Sequence, residues 1–106
     1  MVAILPGNRT GTRRHEDTMK EQTVTVKNRA GIHARPAAKI VETASSFESK
    51  IMFLTEQEEI NAKSIMGIIT LGAAFNTAIR IQTDGPDEEY ALNTLVALFE
   101  RRFEEQ

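Results

Sequence analysis

The sequence predicts an α+β fold, a two-layer open-faced sandwich in which a four-stranded antiparallel sheet is covered by three helices in the order β-α-β-β-α-β-α. Three observations predict it. Four short segments read as strands, and none is continuously apolar, so the sheet should keep one face in water. Three other segments place apolar residues at helical spacing. The chain has 106 residues, enough for one buried core and no more.

The elements follow in order. Residues 1–18 have no hydrophobic period and read as a flexible, disordered extension. Met19 is an alternative start, which would make those residues extraneous. The domain proper spans residues 19–106. Thr23-Val24-Thr25-Val26-Lys27 alternates polar and apolar, the period of a half-buried strand. Asn28 to Ile32 contains Gly31 and reads as a loop. In the first helix Ala37, Ile40, Val41 and Ala44 share a face, and Phe47 extends that stripe past the helix end. Pro36 is tolerated in its first turn, where a missing N–H costs nothing.

Lys50 to Thr55 is the second strand, with Ile51 and Phe53 on one face. Glu59 to Lys63 is a shorter third, with Ile60 and Ala62 inward. The turn between them, Glu56-Gln57-Glu58, lacks the usual Gly or Asn. Ser64 caps a short helix with an Ile65-Ile68-Ile69 stripe, and Gly72 stops it. Ile79 to Thr83 is the fourth strand. The turn Asp84-Gly85-Pro86-Asp87 leads into the last helix, whose stripe is Leu92, Leu95, Val96, Phe99 and Phe103. Asp87, Glu88 and Glu89 suit the positive end of its dipole.

Composition narrows the function. A net charge of −2 argues against binding nucleic acid by bulk phosphate attraction. No aromatic pair lies on a strand, where small sheets that bind RNA carry one. The absence of cysteine removes disulfides and thiolate chemistry and is compatible with a reducing cytoplasm. No apolar run is long enough to span a bilayer, and the apolar start Met1 to Leu5 is too short for a signal peptide. No triad, metal-ligand cluster or phosphate-binding glycine loop is present, so neither a metal nor a cofactor is expected.

The informative stretch is Gly31-Ile32-His33-Ala34-Arg35-Pro36-Ala37. His33 falls at the start of the first helix, where backbone N–H groups lack intrahelical partners and the dipole favours negative charge. A phosphoryl group on the imidazole would be stabilised there. Arg35 can hydrogen-bond the same group with charge assistance. Gly31 permits a backbone that keeps the ring clear of its own chain, and Pro36 fixes the first turn. Neutral imidazole is a nucleophile near pH 7, and its phosphorylated nitrogen remains a good leaving group. Local physics alone also fits an exposed loop histidine without a role, and His15, in the extension, receives none.

The full segment from Gly31 to Ala37 resembles the phosphorylation-site signature of HPr, the histidine-containing phosphocarrier of the phosphoenolpyruvate-dependent phosphotransferase system. A second block, Lys63-Ser64-Ile65-Met66-Gly67, resembles the family's regulatory serine site, and Leu71-Gly72 falls where the family closes its short helix. The resemblance runs from Met19 to Gln106. It implies that His33 accepts a phosphoryl group on Nδ1 with help from Arg35. It also implies that enzyme I donates the group and a IIA-type sugar permease domain accepts it, in a cytoplasmic, monomeric carrier. Both partners would dock on the first and second helices, with Ile65 and Met66 as apolar contacts and Lys39 and Lys63 at the edge. Core packing explains Ile65 equally well. Ser64 would be the target of an HPr kinase/phosphorylase, and its phosphorylated form a ligand for a transcriptional regulator.

The chain departs from the family in places. Ala30 stands where many relatives carry Ser or Asn. Glu42, Ser45 and Gly67 stand where some carry lysine, so the docking patch is less basic here. These departures bear on partner affinity and not on His33. A regulatory binding module, controlled at Ser64 with little role in sugar transport, would use the same fold and most of the same residues.

Overall fold

In the computed structural model, residues 19–104 are described. The extension at residues 1–18 lies outside them. The strands are β1 (Lys20–Thr25), β2 (Lys50–Leu54), β3 (Glu59–Asn61) and β4 (Ala78–Asp84). The helices are α1 (Ala34–Ser45), α2 (Ile65–Leu71) and α3 (Glu88–Glu100), followed by a 3-10 turn at Arg102–Glu104. The sheet order is β1-β4-β2-β3 and every neighbouring pair is antiparallel. This is the sandwich the periodicity predicts. Strand β1 starts earlier than its alternation suggests, because Lys20 pairs opposite Thr83 and Glu21 opposite Gln82.

Alternation sorts the two faces. Val24, Ile51, Phe53, Ile79, Ile81 and Thr83 point into the core, while Glu21, Thr23, Lys50 and Arg80 lie exposed on the other side. Helix α3 packs over β1 and β4, and α1 packs on both α2 and α3. Phe53, Phe99 and Phe103 meet edge to face, with centroids 5.7 and 4.8 Å apart. The β2–β3 turn manages without Gly or Asn. The Thr55 hydroxyl accepts from the Gln57 and Glu58 N–H groups, and the Thr55 N–H donates to the Glu58 carbonyl at 2.9 Å.

Two sequence expectations need correction. Phe103 is not on the last helix. The helix ends at Glu100, and Phe103 enters the core from the following turn with φ +55°. The Ile65-Ile68-Ile69 stripe does not face inward as a unit: only Ile68 is buried, and Ile65 and Ile69 are 40% and 43% exposed. A helix of two turns lying over the short strand β3 covers too little surface to bury all three. Asp87 stands at the N-cap of α3, where its charge suits the dipole, although its side chain caps no N–H there. Its carboxylate instead accepts from the Glu48 and Ser49 N–H groups, both at 3.0 Å, and from the Ser49 hydroxyl.

Those bonds, the Ser49 hydroxyl first and the Glu48 N–H next, hold the Asp87 carboxyl below its ordinary value of 3.8. The folded value is depressed, so the stabilisation is complete above the unfolded value and fades as pH falls through the folded one. Asp87→Asn should therefore melt below the parent at pH 7, and the gap should close in acid, below about pH 4. Thermal melts of both proteins across that range check it.

Candidate functional site

Loop 28–32 sets the site. Asn28 is buried, and its side-chain amide donates to the Gly31 carbonyl, closing the loop on itself. The Gly31 N–H donates back to the Asn28 carbonyl at 3.0 Å. Gly31 has φ +76°, where a side chain is strained, and a Cβ there would lie 2.7 Å from the Ala73 carbonyl oxygen. That same carbonyl accepts the Ile32 N–H at 2.8 Å. The loop is thus laid backbone to backbone on the segment after α2. Asn28 is the site residue that sequence reasoning missed. Its signal was an Asn opening a glycine loop just before the histidine.

His33 comes next, as the N-cap residue of α1, with extended backbone and no side-chain capping bond. Its carbonyl accepts the first helical bond, from Ala37 at 2.9 Å. Its ring is therefore not used to cap the helix. Ala34 and Arg35 are exposed in the first turn, and Pro36 is buried there. Pro36 precedes the first N–H that the helix uses, so its ring removes no bond. The first turn holds no acidic side chain, which leaves the positive end of the helix available to an anion. His33, the N-cap, and Arg35, in the first turn, are both exposed at this end of α1.

The second block lies at the start of α2. The Ser64 hydroxyl accepts the Gly67 N–H at 3.1 Å, the expected cap. Gly72 ends the helix at φ +53°, and its N–H donates to the Ile68 carbonyl. Ile65 is 40% and Met66 67% exposed, beside Ile69. Both lysines expected at the edge are engaged. Lys39 pairs with Glu104 at 3.1 Å, and Lys63 donates to the Phe47 carbonyl at 2.8 Å. The Lys39 ammonium, with Arg101 nearby, holds the Glu104 carboxyl below its ordinary range. A lysine at position 67 would not fit without movement, since a Cβ on Gly67 would lie 2.5 Å from the Ile60 side chain. Among the described residues, no group of three His, Cys, Asp or Glu side chains could hold a metal ion. No helix among them is long and apolar enough to cross a membrane.

Comparison with known proteins identifies the family. A family model described as the PTS HPr component phosphorylation site matches residues 20–101. The chain is 48% identical over 88 residues to the phosphocarrier protein HPr of Treponema pallidum, covering 83% of this chain and all of that one. The crystal structure of an HPr from Thermoanaerobacter tengcongensis superposes with a TM-score of 0.79 at 46% identity, covering 82% of this chain and 98% of the other. Crh, the catabolite-repression protein of Bacillus subtilis solved as a swapped dimer, superposes at 0.63 with 36% identity, over 76% of this chain and 92% of that one. On sequence and fold, the chain belongs to the HPr family of phosphocarrier proteins.

Proposed function

We propose that this protein carries a phosphoryl group on His33, received from phosphoenolpyruvate through enzyme I and passed to a IIA-type sugar permease domain. The observation that carries the reading is an exposed His33 at the start of α1, with Arg35 two residues on and no acidic neighbour in the first turn. Attack by Nδ1 on the donor's phosphorus forms the N–P bond as the donor's N–P bond breaks. Arg35 and the first N–H groups of α1 take the oxygens' charge, and the small Gly31 and Ala34 beside His33 leave the ring unobstructed by bulky neighbours in sequence. Partner proteins supply the remaining stabilisation, so the chain acts as an intermediate and not as an enzyme with its own substrate. It works in the cytoplasm, as a monomer, which light scattering in solution checks.

Incubation with phosphoenolpyruvate, magnesium and enzyme I from the same organism should add one acid-labile phosphoryl group by mass. His33→Ala should add none. Label on the variant would move the acceptor elsewhere.

Ser64 is the second modification site of this reading, phosphorylated from ATP by an HPr kinase/phosphorylase. A phosphate there brings about −2 charge beside the exposed Ile65 and Met66. Docking of acidic partners weakens, and a transcriptional regulator with a basic pocket gains a ligand. Ser64→Asp should fold normally and accept phosphoryl groups about tenfold more slowly, equivalent to ~1.4 kcal/mol of docking. Transfer at the parent's rate would remove Ser64 from the account. The likeness to Crh supports a second reading, a regulatory module in which serine phosphorylation is the main event. Under that reading enzyme I leaves His33 unlabelled while ATP and the kinase label Ser64.

A further inference from the structure

We infer that Lys27, Arg29, Phe75 and Arg102 form a second docking cleft beside the histidine loop, which receives an acidic segment of the phosphoryl-donating protein. The inference rests on the carrier reading above and names where its donor binds. The four residues line a cleft of about 280 Å³. Three cations thus converge on one place in a chain whose net charge is −2.

Their surroundings decide which charge is available. Lys27 is paired with Glu100 at 2.7 Å. The carbonyl end of α3 favours a cation near Arg102. Neither fact accounts for Arg29, whose guanidinium lies 5.8 Å from the centre of the Phe75 ring. Nor do they account for Phe75 itself, which is 44% exposed although the core lies close by. A cation resting on a ring keeps its hydrogen-bond donors for another group.

The cleft borders the phosphoryl site. Arg29 belongs to loop 28–32, which leads into His33, and Phe75 lies two residues after Ala73, whose carbonyl holds Ile32. Beyond Arg35, which belongs to the phosphoryl corner, the α1–α2 face offers little further positive charge. Lys39 is paired with Glu104, Lys63 is bonded to the Phe47 carbonyl, and Glu42, Ser45 and Gly67 add none. Attraction for an acidic partner is therefore strengthened at this cleft beside the loop. A carboxylate can bind Arg29 through two parallel bonds while an apolar neighbour packs on Phe75. At about 280 Å³ the cleft lies at the lower end of typical small-molecule sites, ~300–1,000 Å³, and has room for a side chain presented by a docked protein.

The test is steady-state phosphorylation of the intact protein by enzyme I and phosphoenolpyruvate at low and high salt. The double variant Arg29→Ala, Arg102→Ala should raise the KM for this protein about tenfold at low salt, leave kcat unchanged, and flatten the salt dependence. Lysines at both positions should restore most of the salt dependence and less of the affinity. Arg80→Ala, on the open sheet face, should match the parent. A KM within twofold of the parent in the double variant overturns the inference. So does saturable binding of inorganic pyrophosphate at Arg29 with KM unmoved, which would mark a small-anion site. A parent that enzyme I does not label at all sinks the carrier reading first, and this inference with it.

Discussion

Phe103→Ala should cost about 3–5 kcal/mol, the usual loss for emptying a buried phenylalanine site, and so a large share of the stability of a domain this size. Phe103 is fully buried and packs edge to face on Phe99. Arg102, Phe103 and Glu104 all have positive φ, between 55° and 63°. Each such non-glycine residue costs roughly 1–2 kcal/mol. The burial of one ring offsets that strain and holds the turn against α1 and α3. Without the ring the turn should relax and release Glu104 from Lys39. Part of the strain is then recovered, which places the loss toward the lower end of the range. Urea denaturation should show a lower midpoint, and Phe103→Leu should recover most of it. A midpoint unchanged in Phe103→Ala would mean that the turn contributes nothing to the fold.

Gly31→Ala should slow phosphoryl acceptance by about a hundredfold, the scale on which an ångström of misplacement acts. Two effects coincide at this position. An alanine at φ +76° is strained, and its Cβ would lie 2.7 Å from the Ala73 carbonyl oxygen and 3.2 Å from the Ala74 Cα. Both obstacles are backbone, so no rotamer change relieves them. The loop must lift from residues 73–74, stretching the Ile32 N–H bond and carrying His33 with it. Gly72→Ala is the matched control. Gly72 also has positive φ, but its nearest obstacle is 3.5 Å away. It should lose some stability and keep its transfer rate. Single-turnover labelling of both variants separates them, and equal rates would show that the loop's seat does not position the histidine.

The contrast between these glycines shows what the sequence could reveal. Gly72 was legible because a helix stop is local chemistry: a short apolar run, then a residue free to turn left-handed. The Ser64 cap and the Pro36 turn were legible for the same reason. Gly31 was recognised as permissive, but the carbonyl that forbids a Cβ there comes from a segment forty residues on. Asp87 showed its place at a helix start, but not that its carboxylate would also accept from the distant Glu48 and Ser49 N–H groups. Phe103 continued a helical spacing that the backbone had already abandoned. Ile65 and Ile69 carried the right period, yet period cannot tell how much surface a short helix has to cover. The histidine corner needed only consecutive residues. The shape around it needed the whole chain.

The uncovered side of the sheet has a practical use. Among the described residues, all three helices, and with them His33 and Ser64, lie on one side of the four strands, while Thr23 and Arg80 stand exposed on the other. The chain contains no cysteine. One cysteine introduced at Thr23 or Arg80 would therefore take a dye at a single place, with the full thickness of the sheet between the probe and the phosphoryl group. The protein can be immobilised or watched from behind, with the histidine face left open to every partner.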